Sequence, residues 1–184
     1  MIGLWIVLGI VVVSILIYVV LYNGLVGKKN MVENAFSSID VMLKKRFDLI
    51  PNLVATVKKY MTHENETLVK VTEMRAKAMS GNLSNDQMVE LDNMVGNIMV
   101  SVEKYPDLKA NTNFLQLQGS LNEIEEQLSA SRRAYNAAVM DYNNAIEMFP
   151  SNIVAGMINY KQKKMFEIAE SEKANPNVKN LFSN

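Results

Sequence analysis

The chain has 184 residues, and its 19 Lys and Arg residues balance its 19 Asp and Glu residues. This balance argues against a nucleic-acid-binding protein, which shows an excess of basic residues on one face. The sequence contains no cysteine, which excludes disulfides, thiolate metal sites and cysteine nucleophiles and fits a reducing compartment.

The first 27 residues form an apolar segment without a charged side chain. From Ile2 to Tyr22, only one serine and the tyrosine hydroxyls are polar. As a helix this run is about 32 Å long, against a hydrocarbon core of about 30 Å. A secretory signal would show a basic start and a small-residue cleavage site, and neither is present. The sequence therefore predicts a transmembrane anchor over residues 1–27, in contact with the lipid bilayer, and one helical domain over residues 28–184.

The orientation of the anchor follows from its flanks. No Lys or Arg precedes it, whereas Lys28 and Lys29 follow at once. Because basic flanks prefer the cytoplasm, we predict a single-pass protein with a short N-terminus outside and a cytoplasmic C-terminal domain. The opposite topology stays open, since a long C-terminal domain can cross the membrane regardless of nearby charge.

The first helix after the anchor contains a proline. A stripe of apolar residues at helical spacing comprises Phe36, Ile39, Leu43, Phe47, Ile50, Val54, Val57 and Met61. Pro51 interrupts it, at a cost of about 3 kcal/mol to an interior helix. The stripe stays in phase across Pro51, which favours a kinked helix that continues to about Ala78. The alternative is a break at Asp48, whose carboxylate would cap a new helix with Pro51 in its first turn.

Two later stripes predict two more long helices. The first comprises Met88, Leu91, Val95, Ile98, Val102 and Tyr105. The second comprises Phe114, Leu117, Leu121, Ile124, Leu128, Ser131, Tyr135, Ala138, Tyr142, Ala145 and Phe149, within a helix from Thr112 to Phe149. Turn signals separate these helices, and a weaker last helix runs from about Ile153 to Asn175. The sequence thus predicts an all-α protein, in which an N-terminal transmembrane helix precedes an antiparallel up-and-down bundle of about four long helices.

A heptad repeat stands out in the last stripe: Tyr135 and Asn136 recur as Tyr142 and Asn143. Buried tyrosine hydroxyls need hydrogen-bond partners, and the asparagines lie on the flank of the stripe. One interpretation is a structural polar ladder inside the bundle. The other is a groove for a segment of a partner, which makes these four residues the candidate interaction strip.

Catalytic or metal chemistry has weaker signals. His63 and Glu64 begin a zinc-protease pattern, but Thr67 stands where the second histidine ligand is required. Glycine-rich phosphate-binding motifs are absent, so we predict no cofactor, and one histidine cannot supply the ligand pair of a zinc or two-metal site, so we predict no metal. The alternative function is a hydrolase or metal enzyme that uses carboxylates such as Asp40, Asp48, Glu64 and Glu73, but helical spacing alone does not bring any two of them together.

Several blocks of the sequence resemble the LemA family over nearly the whole chain. They are 35–54 with its Asp-Leu-Ile-Pro-Asn, 60–64, 105–111 with its Tyr-Pro-Asp-Leu-Lys-Ala, 113–118, 132–136, 141–143 and 149–150. Phe36 replaces a usual tryptophan, and residues 160–167 fit the pattern only loosely. The resemblance implies a bacterial inner-membrane protein with a helical bundle inside the cell and no established enzymatic activity.

Anchor, bundle and resemblance together predict a non-enzymatic scaffold or protein-interaction module at the cytoplasmic face of a bacterial plasma membrane. The resemblance implies a link to envelope stress and to membrane proteases. We therefore expect an unidentified protein partner, such as a membrane protease. The alternative is a homo-oligomer that forms through the apolar stripes, and we expect no nucleic acid.

Overall fold

The computed structural model of the chain describes residues 2–61, 65–82 and 85–166. In these ranges the regular structure is entirely helical, which confirms the predicted all-α class. The helices are α1 (Ile2–Val57), α2 (Asn65–Met79), α3 (Asn85–Ser101), α4 (Pro106–Lys109), α5 (Thr112–Glu147) and α6 (Ser151–Met157), with a 3-10 turn at Val102–Lys104.

The helix α1 is 56 residues long and begins in the apolar segment. Its N-terminal part is long and apolar enough to cross a membrane, and side chains from Ile2 to Val20 are exposed rather than packed against protein. An apolar helix with no polar face and no protein cover fits a lipid environment. The same helix continues without a break beyond Lys28 and Lys29, so the apolar segment and the first part of the bundle form one helix.

Pro51 lies inside α1, so the predicted continuation of the helix across it is confirmed and the break at Asp48 is wrong. A proline has no N–H, which leaves the carbonyl oxygen of Phe47 without its usual helical donor. Arg75 of α2 replaces that donor: its Nε donates to the Phe47 oxygen at 2.8 Å. Its Nη2 also lies 3.7 Å from the carboxylate of Asp48.

The predicted extension of the first soluble helix to Ala78 is wrong. The helix α1 ends at Val57, and a turn over residues 58–60 separates it from α2. Phe36, at the start of the stripe, is exposed, but Val57 and Met61 are buried on both sides of this turn, which contains a hydrogen bond from the Met61 N–H to the Val57 carbonyl. The spacing of apolar residues indicates which residues are buried. It does not reveal where a helix ends when the residues on both sides of the turn are buried.

Packing divides the chain into two compact units, Phe36–Ser131 and the described residues of Met1–Ala35 with Arg132–Asn184. The predicted division into an anchor over 1–27 and a domain over 28–184 stays a prediction, because these units are defined by packing and not by a membrane.

In the Phe36–Ser131 unit, four long helices share one core. Its buried residues are Phe47, Ile50, Leu53, Val57, Met61, Leu68, Val71, Met74, Leu91, Val95, Ile98, Val102, Leu108, Phe114, Leu117 and Leu121. Short connections between the helices make successive helices antiparallel neighbours, as predicted. Asn111 caps α5, since its Oδ1 accepts the N–H groups of Asn113 at 3.0 Å and Phe114 at 3.1 Å.

One partly buried arginine ties three of these helices together. Arg46 of α1 is 17% exposed, and its Nη1 lies 3.2 Å from Asp92 of α3 and 2.9 Å from Glu125 of α5. Two carboxylates on one guanidinium satisfy its charge where solvent is partly excluded.

In the other unit, the end of the predicted anchor and the residues that follow it in α1 pack against α5 and α6. Leu25 is buried against Val154 and Ala155. Val32 is buried with Val139 and Tyr142 of α5. This packing places the second half of α5 beside the chain that follows α6.

The last predicted helix is mostly wrong. The helix α6 ends at Met157, and residues 158–166 have no regular secondary structure. The predicted end near Asn175 lies outside the described residues. Phe149 is also not a core residue: it is 79% exposed, because α5 ends at Glu147 and the stripe ends with it.

Candidate functional site

The second half of α5 carries the Tyr–Asn repeat, and the structure brings all four of its residues to one segment. That segment comprises residues 160–166 and is called the strap segment below. Tyr142 is 2% exposed, whereas Tyr135, Asn136 and Asn143 are partly buried. Residues seven apart on a helix share one face, which aligns the two Tyr–Asn pairs along the strap segment.

Asn143 holds the main chain of the strap segment at Lys163. The Nδ2 of Asn143 donates to the Lys163 carbonyl at 2.9 Å, and the Lys163 N–H donates to Oδ1 of Asn143 at 2.9 Å. A side-chain amide presents one donor and one acceptor side by side, so it can match the N–H and C=O of a single residue. We call this paired contact a clamp.

Asn136 forms a second clamp at Phe166. Its Nδ2 donates to the Phe166 carbonyl at 3.1 Å, and the Phe166 N–H donates to its Oδ1 at 2.7 Å. The second clamp therefore repeats the first, with the strap segment running antiparallel to α5. Both clamps read main-chain atoms only.

The tyrosines complete the contact. The hydroxyl of Tyr135 donates to the Lys164 carbonyl at 3.1 Å, and its ring meets the Phe166 ring edge-on at 5.9 Å. The Tyr142 ring lies 5.9 Å from the ring of Tyr160. Burial, and then the neighbouring Tyr160, raise the pKa of the Tyr142 hydroxyl above its ordinary value.

Charged groups bind the side chains at both clamps. The Lys163 ammonium lies 3.9 Å from the carboxylate of Glu33 and 5.8 Å from the centre of the Tyr142 ring. The guanidinium of Arg132 lies 5.7 Å from the centre of the Phe166 ring. These are ion-pair and cation–π contacts, and each is partly exposed to solvent.

Sequence reasoning identified the four residues on α5 but missed what they hold. The strap segment was expected to be helical, and its contacts reach back 20 to 30 residues along the chain. The available signal was the loss of apolar periodicity after Met157, which marks a segment without a core-facing stripe.

The described carboxylates of the alternative enzyme hypothesis do not form one site. Asp48 lies 2.9 Å from the Lys44 ammonium, Asp40 is exposed, and Glu64 lies outside the described residues, as does His63. Glu73 lines an open depression of about 200 Å³ on α1 and α2. Over 2–61, 65–82 and 85–166 there is no group of three or more His, Asp or Glu side chains that could hold a metal ion.

Comparison with known proteins shows which family and which relatives the chain is similar to. The model of the LemA family matches residues 35–180, a range that includes the clamps and the strap segment. Protein LemA of Metamycoplasma hominis is 30% identical, over 90% of this chain and 77% of the relative. Magnetosome protein MamQ 2 of Paramagnetospirillum magneticum is 24% identical and magnetosome protein MamQ of Magnetospirillum gryphiswaldense 22% identical, each over 79% of this chain. The chain spans 64% of the length of these two magnetosome proteins.

Proposed function

The chain belongs to the LemA family, and from this premise we propose that it is a membrane-anchored, non-enzymatic helical protein that binds another protein at the cytoplasmic face of a bacterial plasma membrane. The observation that carries the proposal is the pair of asparagine clamps on α5, a contact suited to holding an extended polypeptide.

The anchor supports the location. The apolar start of α1 ties the protein to a membrane, and Lys28 and Lys29 follow it in the same helix. Basic residues at this position favour the anionic cytoplasmic leaflet. The proposed orientation therefore has a short N-terminus outside and all of α2 to α6 in the cytoplasm.

The clamps support binding rather than catalysis. Each asparagine pairs with main-chain groups, which is how peptide-binding surfaces gain affinity without reading every side chain. The carboxylates considered for an enzyme lie apart from this site, and the relatives named above do not carry enzyme names. As the family resemblance implies, we further propose a role in envelope stress, with a membrane protease as the partner. The apolar stripes make a second copy of the chain the other candidate partner.

The proposed orientation is tested with reporter fusions at Asn184. Alkaline phosphatase is active only outside the cytoplasm, and a green fluorescent protein folds to its fluorescent form only inside. We expect an inactive phosphatase fusion and a fluorescent second fusion. An active phosphatase with a dark fluorescent fusion would reverse the orientation.

The proposed binding role is tested by affinity purification of the full chain from membranes in mild detergent. We expect specific partners to be lost when Asn136 and Asn143 are both changed to Ala. The matched control is Asn144→Ala, because Asn144 is exposed on the same helix. Partners that are retained by the double variant and the control alike would assign binding to another surface.

A further inference from the structure

We propose that α5 carries a binding site for an extended peptide with a basic residue at one clamp and an aromatic residue three positions later. The strap segment of the chain itself occupies this site in the structure. This inference rests on the proposed binding function and specifies its ligand. Any partner therefore competes with an occupant built into the chain.

The spacing of the clamps fits an extended peptide. Asn136 and Asn143 are separated by seven residues, which corresponds to about 10.5 Å along a helix axis. Their partners Phe166 and Lys163 are separated by three residues, which corresponds to about 10 Å in an extended chain. Because the two lengths agree, both clamps close on one peptide without distortion of either element.

The clamps read no side chain, so they tolerate many sequences. Each accepts an N–H and donates to a C=O of the same residue, and every amino acid except proline offers both groups. The side chains of Lys161, Gln162, Lys164 and Met165 are exposed beside these contacts. Of these four side chains, that of Gln162 donates a hydrogen bond to the carboxylate of Glu147, so the site places few demands on positions 161, 164 and 165.

Two positions do read side chains. At the Asn143 clamp, the Glu33 carboxylate and the Tyr142 ring face the ammonium of Lys163, which favours a basic residue. At the Asn136 clamp, an aromatic ring is favoured, because Phe166 packs against Tyr135 and lies over a guanidinium. The ligand is thus an extended segment of the form basic-x-x-aromatic.

The strap segment is suited to being displaced. It has no regular secondary structure, and polar contacts near solvent hold much of it. It follows α6 directly, so its effective concentration at the site is of the order of millimolar for a short linker. A partner peptide must exceed this competition, which keeps the site closed until a partner is concentrated at the membrane.

The test uses the full chain in detergent and a fluorescent peptide with the sequence of residues 158–166. Lys163→Pro in the chain removes the N–H that the Asn143 clamp accepts and releases the strap segment. We expect the peptide to bind this variant at least about tenfold more tightly than it binds the wild-type chain. Adding Asn143→Ala to the released chain should weaken binding at least about tenfold, and adding Asn144→Ala should leave it unchanged.

The peptide itself supplies a second set of controls. Methylation of the peptide nitrogen at the Lys163 position should weaken binding about tenfold, because it removes one clamp hydrogen bond and places a methyl group against Oδ1 of Asn143. Replacing the methionine at position 165 with alanine should have little effect, since that side chain is exposed. If Lys163→Pro lowers the helical circular dichroism of the chain, Lys163→Glu combined with Phe166→Ala serves as the releasing variant, because the two changes remove the ion pair with Glu33 and the ring contact with Tyr135.

Three outcomes would overturn the proposal. A folded, released chain that does not bind the peptide would make the strap segment a structural element only. Equal binding with and without Asn143 would move the site elsewhere. Dimers that form through exchanged strap segments at rising protein concentration would replace the partner with a second copy. None of these depends on the topology of the anchor, so a failure here is distinguishable from an inverted orientation.

Discussion

The hydrogen bond from Arg75 to the Phe47 carbonyl should stabilise the protein only while position 51 is a proline, which cannot donate to that carbonyl. A double-mutant cycle measures this dependence. Hydrogen bonds to charged groups contribute about 1.5–3 kcal/mol to the free energy of unfolding. Arg75 is partly exposed, so we expect Arg75→Met to cost about 1–2 kcal/mol in the wild-type chain. Methionine keeps the apolar stem of the side chain, which limits the loss of packing.

In a Pro51→Ala background, the new N–H at position 51 can donate to the Phe47 carbonyl. In that background, Arg75→Met should lower the free energy of unfolding by less than about 1 kcal/mol, and this residual loss comes from the contact of Arg75 with Asp48. Urea unfolding of the four full-length chains in the same detergent gives the coupling free energy, which should be about 1 kcal/mol. Additive effects of the two substitutions would refute the view that Arg75 replaces the donor missing at Pro51.

Two further predictions concern single substitutions in each unit. Arg46→Met should lower the free energy of unfolding by about 1–3 kcal/mol in urea titrations, because it leaves the carboxylates of Asp92 and Glu125 without their cation. The control Lys44→Met, at an exposed ion pair, should change the free energy of unfolding by less than about 0.5 kcal/mol. Equal effects of the two substitutions would show that burial does not matter to these ion pairs. Tyr142→Ala should lower the free energy of unfolding by about 3–5 kcal/mol, because it leaves a cavity beside α1. The control Met140→Ala, at an exposed position of α5, should lower it by less than about 1 kcal/mol. An unchanged melting temperature of Tyr142→Ala would show that this side chain is not part of the core.

Most of the fold could be predicted because its information is local and periodic. The helix α5 was predicted from Thr112 to Phe149 and extends from Thr112 to Glu147, since the stripe and the absence of helix breakers both act within a few turns. The end of α1 could not be placed, because Val57 and Met61 are buried on both sides of the turn. Pro51 could be read as a kink or a break, and the donor that α1 lacks at Phe47 comes from Arg75, 28 residues away, which no local pattern indicates.

The candidate site shows the same limit more clearly. The heptad of tyrosine and asparagine is local, so the sequence alone indicates all four residues as a candidate strip and predicts that Asn136 and Asn143 lie on the flank of the stripe. What they bind lies 20 or more residues away and is encoded in main-chain groups, which every sequence shares. The side chains of the strap segment therefore do not indicate this contact. What a sequence can offer is a pair of amides seven positions apart on a helix that is followed by a segment without periodicity, because seven helical residues and three extended ones cover nearly the same length.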